Sequence, residues 1–124
     1  MAIYTLEKSF SFEAGHVLTH HDGKCSTPHG HSYQLIVCLR ANILQSSGPK
    51  KNMVMDFQEI HSIVKTMINS YLDHQWLNDT LQNDSPTAEF IAEWIYHHLS
   101  PKLPHLVSVK LFETPTSSVT YSEQ

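Results

Sequence analysis

Apolar and polar residues alternate along residues 3–14. Tyr4, Leu6, Phe10, Phe12 and Ala14 share one parity, and Thr5, Glu7, Ser9, Ser11 and Glu13 share the other. A period of two marks a half-buried strand, and only Lys8 interrupts it. Residues 31–43 alternate likewise, with Tyr33, Leu35, Val37 and Leu39 on the inward parity. Cys38 falls on the opposite parity and reads as a small structural residue. Between the two strands lies HVLTHHDGKCSTPHG, a polar stretch with Gly and Pro that is long for a hairpin turn. Loops of that length in compact domains are often functional. QSSGPKKN is a second, plainer loop.

The period then changes. Asp56 with Glu59 three positions on resembles a capping box, with Asp in the Ser/Thr role. Phe57, Ile60, Val64, Met67, Ile68 and Tyr71 follow at helical spacing, which predicts a helix to about Leu72. A second helix is expected to start near Ser85-Pro86, because proline suits the first helical position. Its stripe is Ala88, Ile91, Ile95 and Leu99, and Pro101 stops it. Both stripes read as core rather than as a cofactor box. Residues 106–113 alternate again, with Val107, Val109 and Leu111 on one face, and Thr116–Ser122 forms a weaker last strand. The order β-β-α-α-β-β predicts an α+β fold, a four-stranded antiparallel sheet with two helices on one face. No repeat, low-complexity tract or linker divides the 124 residues, so one domain over 1–124 is expected.

Composition narrows the function classes. Hydrophobic residues make up 40% and charged residues 16%, which is ordinary for a globular chain and argues against disorder. The formal net charge of −4 argues against nucleic acid as the main partner, since phosphate neutralisation needs clustered Lys and Arg. Lys50-Lys51, the longest basic cluster, fits a solvated loop. Only Cys25 and Cys38 are present, fewer than an oxidised secreted scaffold uses, and a reducing compartment follows. The N-terminal MAIYTLEKSF lacks the basic and apolar regions of a signal peptide, and no stretch approaches the roughly 20 apolar residues of a membrane span. A soluble, cytoplasmic protein with no membrane partner is the expectation.

The unusual count is ten histidines. His20-His21 and His97-His98 have no ligand spacing and read as surface pairs. In His29-Gly30-His31, residues i and i+2 of an extended chain point to the same side, and their parity continues into Tyr33, Leu35 and Val37. His16 ends the first strand with the parity of Phe12 and Ala14. If the strands are neighbours, the three imidazoles converge at one end of the sheet. Three neutral imidazoles and an open position describe a catalytic zinc site, whereas a closed structural site would add a fourth protein ligand, often Cys. The alternative for H-x-H alone is a chance pair; His16 at matching parity favours the metal.

Four further residues carry candidate chemistry. Cys25, four positions before His29, is a fourth ligand, a base or nucleophile, or an inert small hydrophobe; Lys24 beside it and a nearby cation would favour the thiolate. Asp73-His74 is either an acid–base relay in which the carboxylate orients the imidazole, or a helix-terminal His beside a solvated Asp. Glu113 continues the inward face of Val107, Val109 and Leu111. A carboxylate there is costly unless paired, and its two oxygens suit a planar N–H fork. The only Arg is Arg40, so a heterocycle with a guanidine-like edge is the fitting partner; otherwise Glu113 points to water.

Six segments in order, FEAGH at 12–16, CSTPHGH at 25–31, VMDF at 54–57, LDHQWLN at 72–78, SPTAE at 85–89 and ETPTS at 113–117, resemble the 6-pyruvoyl-tetrahydropterin synthase superfamily. They are most similar to its bacterial branch, the 6-carboxytetrahydropterin synthases of queuosine biosynthesis. The spacing C-x-x-x-H-G-H is that of the carboxy-type enzymes. Mammalian-type pyruvoyl enzymes place two more residues there, and a folate-related branch puts Glu near the Cys position. The resemblance implies zinc held by His16, His29 and His31, with Cys25 as the catalytic base and Asp73 and His74 as a second proton-transfer unit. It implies Glu113 gripping the pterin's 2-amino group and ring N–H, assisted by Thr114, and Lys24 as the nearest cation for a triphosphate. HDGKC at 21–25, which holds Lys24, lies in a stretch where family members vary.

The same resemblance implies the tunnelling fold, homo-hexamers with sites between subunits, and conversion of 7,8-dihydroneopterin triphosphate to 6-carboxytetrahydropterin, acetaldehyde and triphosphate. Its alternatives are a pyruvoyl-type synthase that only eliminates triphosphate, and a non-catalytic zinc- or pterin-binding protein on the same fold. The intact Cys25, Asp73 and His74 speak against the last.

Overall fold

In the computed structural model, which describes residues 1–124, the first alternating segment forms β1 (Tyr4–His16) and the second forms β2 (His29–Ala41). They pair antiparallel in one unbroken register from Tyr4–Ala41 to His16–His29. The register sets Phe12 opposite Tyr33 and Ala14 opposite His31, so the inward parities of both strands share a face. Helix α1 (Phe57–Met67) follows, capped by Asp56, whose carboxylate accepts from the Gln58 amide. Glu59 does not complete a capping box; it faces Lys50, which also pairs with Asp56.

Beyond Met67 the helix widens into a π turn over Ile68–Leu72, closed by the Asp73 amide donating to the Ile68 carbonyl at 2.8 Å. The extra residue per turn keeps Ile68 and Leu72 in the core and turns the chain out at Asp73. A two-residue strand β3 (Gln75–Trp76) and a single helical turn α2 (Leu77–Thr80) follow, then α3 (Ala88–Leu99), β4 (Leu106–Thr114) and β5 (Ser117–Ser122).

The sheet therefore has five strands in the order β3-β1-β2-β4-β5, not four, and it is mixed, because β3 runs parallel to β1 at Ala14–Gln75 and Gly15–Trp76. Two residues carry no readable period, so this strand exists through its neighbours alone. Proline does not open α3. Thr87 caps it, its hydroxyl accepting from the Phe90 amide at 3.1 Å, and Pro86 stays outside with its carbonyl free to accept. Val107 does not share the inward face. A bulge after the Cys38–Ser108 pair brings Leu106 opposite Leu39, and Leu106 packs on the core in its place.

One core of 23 buried residues joins the inward sheet face to Ile60, Val64 and Met67 of α1 and to Ile91, Ala92, Ile95 and Leu99 of α3. The helices thus cover one face, and the other is left open. No helix is long and apolar enough to cross a membrane.

Candidate active site

The core ends in polar atoms where β1 and β2 finish. His16 and His29 are direct cross-strand partners, and His31 lies two residues along β2. One ring nitrogen from each lies within 4.8 Å of the others. His16 is fully buried, the sole charged or strongly polar side chain in the buried set.

Main-chain carbonyls fix the rings. Nδ1 of His16 lies 2.9 Å from the Pro86 carbonyl, and Nδ1 of His29 lies 2.7 Å from the Thr27 carbonyl. A carbonyl only accepts, so each Nδ1 carries the proton and each Nε2 presents its lone pair. Burial, then the neighbouring His29 imidazole, lowers the pKa of His16 against the opposing pull of the Pro86 carbonyl; burial likewise lowers His31. The His16 and His31 rings thereby stay neutral near pH 7. Nε2 of His16, Nε2 of His31 and the hydroxyl of Tyr33 are the buried side-chain polar atoms with no hydrogen-bond partner. Buried atoms of this kind are costly to leave unmet. Imidazoles whose ring nitrogens converge, two of them oriented by a carbonyl behind the ring, fit a divalent cation such as zinc. Cys25 stands outside this cluster, so it is not a fourth ligand.

Glu113 faces the same nitrogens. Its Oε2 lies 3.9 Å from Nε2 of both His16 and His31, too far for a hydrogen bond. A second bulge, between Phe112 and Thr114, leaves Glu113 without a partner on β5 and turns it toward the imidazoles; Thr114 pairs with Ser117 beside it. Arg40 is at the far end of β2, opposite Thr5, and leaves the carboxylate without a guanidinium. Burial, then the charge of Glu113, pushes the Tyr33 phenol upward, so it remains a neutral donor.

Asp73 and His74 reach the site through β1. The Asp73 carboxylate accepts from the Glu13 amide at 2.9 Å, and the His74 amide donates to the Glu13 carbonyl at 2.6 Å. The other Asp73 oxygen lies 3.0 Å from Nδ1 of His74. The Glu13 amide holds the Asp73 carboxyl below the usual carboxylate range; burial opposes this, and His74 adds to the lowering. His74 has φ +59°, a left-handed conformation uncommon outside glycine, and its ring is largely exposed. His31 and His74 line one open cleft of about 530 Å³ with Glu13, Ser32, Gln75 and Trp76. The cleft needs Gly15, since a Cβ there would come 3.1 Å from the Trp76 ring and 3.3 Å from the His29 carbonyl.

Cys25 and Lys24 sit in a one-turn 3-10 segment of the long loop, Cys25 half-buried and Lys24 exposed. The Leu18 amide donates to the Cys25 carbonyl at 2.9 Å and draws the loop back toward the end of β1. Asn78 anchors that end: its side chain accepts from the Val17 amide at 2.9 Å and donates to the Val17 carbonyl at 2.8 Å. Asn78 and the carbonyls of Thr27 and Pro86 are supporting groups that periodicity did not single out; Tyr33 reads from the sequence only as an inward core residue. For Asn78, Thr27 and Pro86 the only signal was membership in the segments LDHQWLN, CSTPHGH and SPTAE.

The sequence pattern of 6-pyruvoyl tetrahydropterin synthase matches residues 5–124. The chain belongs to the 6-pyruvoyl tetrahydropterin synthase family. Within it, the chain is 42% identical to a 6-carboxy-5,6,7,8-tetrahydropterin synthase of Synechocystis sp., over 96% of this chain and 93% of that protein. It is 37% identical to the enzyme of the same name from Haemophilus influenzae, over 98% and 100% of the two chains. Its fold superposes on the 6-pyruvoyl tetrahydropterin synthase of Caenorhabditis elegans with a TM-score of 0.85 at 27% identity, covering 100% of this chain and 98% of that one. The family fold is thus the tunnelling fold expected from the sequence.

Proposed function

We propose that this protein is a zinc-dependent 6-carboxytetrahydropterin synthase that converts 7,8-dihydroneopterin triphosphate to 6-carboxy-5,6,7,8-tetrahydropterin, acetaldehyde and triphosphate. The observation that carries the reading is the pair of buried, unpartnered Nε2 atoms on His16 and His31, beside a carboxylate that lacks a protein cation. The similarity to carboxy-type relatives supports the product.

His16, His29 and His31 hold the zinc, which supplies Lewis-acid stabilisation of charge developing on side-chain oxygens. Glu113 accepts from the pterin's 2-amino group and ring N–H, a bidentate match for its two oxygens, with Thr114 beside it. That contact fixes the heterocycle so that its side chain extends toward the imidazoles. Cys25 removes a proton from the side chain. His74 delivers or accepts the second, its Nδ1–H donating to Asp73, which leaves Nε2 to do the transfer. No external electron carrier is needed, because the redox change is internal to the substrate. Lys24 supplies positive charge for the triphosphate.

Assembly follows the same reading. Residues 4–12 of β1 have no partner on the β3 side, and Tyr4, Met53, Phe57 and Trp76 are exposed. A hexamer that joins sheets edge to edge covers such a strand and sets the sites between subunits. Two unpaired cysteines agree with a cytoplasmic setting.

The test is incubation of zinc-loaded protein with 7,8-dihydroneopterin triphosphate and mass analysis of products. Acetaldehyde with the 6-carboxy product supports the reading. Triphosphate release without acetaldehyde assigns a pyruvoyl-type synthase instead, and no consumption of substrate rejects both.

A further inference from the structure

Three buried polar atoms of this chain lack partners, and a cation answers only two of them. Nε2 of His16 and Nε2 of His31 offer lone pairs. The Tyr33 hydroxyl is different: it has a proton to give, and a cation cannot accept it. Its surroundings leave little that can. Tyr33 is 1% exposed. One side of its ring stacks on Phe12, centroid to centroid 5.0 Å at 15°, and its edges meet the rings of His31 at 5.4 Å and His16 at 6.3 Å. Nδ1 of His16 is already committed to the Pro86 carbonyl. One step beyond the Gln34–Phe112 pair, Tyr33 and Glu113 stand on adjacent strands and share the inward face. Their side chains form no hydrogen bond with each other.

A buried phenol whose hydroxyl meets no partner would ordinarily be a phenylalanine, because an unmet hydroxyl costs stability and phenylalanine fills the same space. The partner must therefore arrive with whatever fills the pocket, and it must present an acceptor at the level of the imidazoles rather than at the pterin-binding end of Glu113.

We propose that Tyr33 is a specificity-determining residue that recognises the substrate's side chain, its hydroxyl donating a hydrogen bond to a side-chain oxygen of the pterin that Glu113 binds. The inference rests on the pterin reading above and deepens it. Glu113 selects the heterocycle, and Tyr33 with the imidazoles selects the oxygenated chain attached to its sixth position. A pterin that carries hydroxyls there is favoured over one that carries a methyl group.

The experiment compares wild type with Tyr33→Phe, both zinc-loaded. The probes are 7,8-dihydroneopterin, whose side chain bears hydroxyls, and 6-methyl-7,8-dihydropterin, whose side chain bears none. Affinity is read by titration calorimetry, alongside zinc content and the melting temperature of metal-free, ligand-free protein. The expected result is a loss of about tenfold in dihydroneopterin affinity, the worth of one hydrogen bond. Affinity for the methyl compound and zinc content stay unchanged, and the ligand-free melting temperature is equal or higher, because an unmet hydroxyl has gone.

Equal losses for both probes, or no loss for either, overturn the proposal. So does a lower ligand-free melting temperature, which means that the hydroxyl has an internal partner, or a fall in zinc content, which means that it serves the imidazoles. If wild type binds neither probe, the pterin reading itself fails and takes this inference with it. A wild type that binds both probes, with a variant indistinguishable from it, rejects the role of Tyr33 alone.

Discussion

Asn78 closes on both main-chain polar groups of Val17, with bonds of 2.9 and 2.8 Å that cross 61 residues of sequence. Val17 follows His16, so this amide clamp fixes the point where the first strand hands its histidine to the site. Asn78→Ala leaves two partly buried backbone groups unmet and lowers unfolding free energy by about 1–3 kcal/mol. Asn78→Asp keeps the acceptor for the Val17 amide but loses the donor, and falls between. Urea denaturation of the two variants checks the order, and an alanine variant as stable as wild type rules out the clamp.

Zinc added to metal-free protein raises its melting temperature, because an ion bound only by the folded state stabilises it by about 2.7 kcal/mol at a hundredfold excess over Kd. His16→Ala removes one of the converging nitrogens and abolishes that response. Scanning calorimetry with and without zinc gives the answer, and an undiminished zinc shift in the variant excludes His16 as a ligand.

Acid weakens the metal-free fold through the same rings. His16 and His31 have folded pKa values below their ordinary 6.5, so the unfolded chain binds protons first. Their contribution is complete above about pH 6.5 and is lost as pH falls from there through the lowered folded values. Zinc affinity declines in the same direction, because protons compete for the same nitrogens. Urea midpoints of metal-free protein between pH 8 and pH 5 should fall on the acid side; a flat profile contradicts neutral buried imidazoles.

Cys25→Ala leaves zinc content intact, since the thiol stands apart from the imidazole cluster, while turnover disappears. Acetaldehyde release and metal analysis on one preparation read both at once. Turnover at the wild-type rate removes Cys25 from the chemistry.

At His74 backbone and side chain can be tested separately. Asn tolerates its φ of +59°, so His74→Asn keeps the melting temperature within a degree or two and lowers turnover about 10²–10⁴-fold through loss of the imidazole. His74→Val adds backbone strain and lowers the melting temperature as well. If the Asn variant retains full activity, the relay role is wrong.

The strands and helices were legible because burial imposes a period on each. Phe12, Ala14 and His16 kept one parity, as did His29, His31 and Tyr33, and antiparallel pairing then had to bring the imidazoles together. The stripe of α1 predicted its length to Leu72, though not the π turn in which it ends. Where no period exists, nothing was readable. The strand β3 is two residues long, α3 starts after a Thr87 cap and not at Pro86, and a bulge exchanges Val107 for Leu106.

Sequence alone determined which residue types could do the chemistry, because ligand lone pairs, carboxylates and a thiol are properties of side chains and their faces are set by local backbone repeat. Tertiary structure decided the state and aim of those groups. The Pro86 carbonyl chooses the tautomer of His16 from 70 residues away, the Glu13 main chain seats Asp73 and His74, and burial leaves the Tyr33 hydroxyl without a partner. Hydrogen bonds between distant segments leave no periodic trace in the chain, so they become visible only when it is folded.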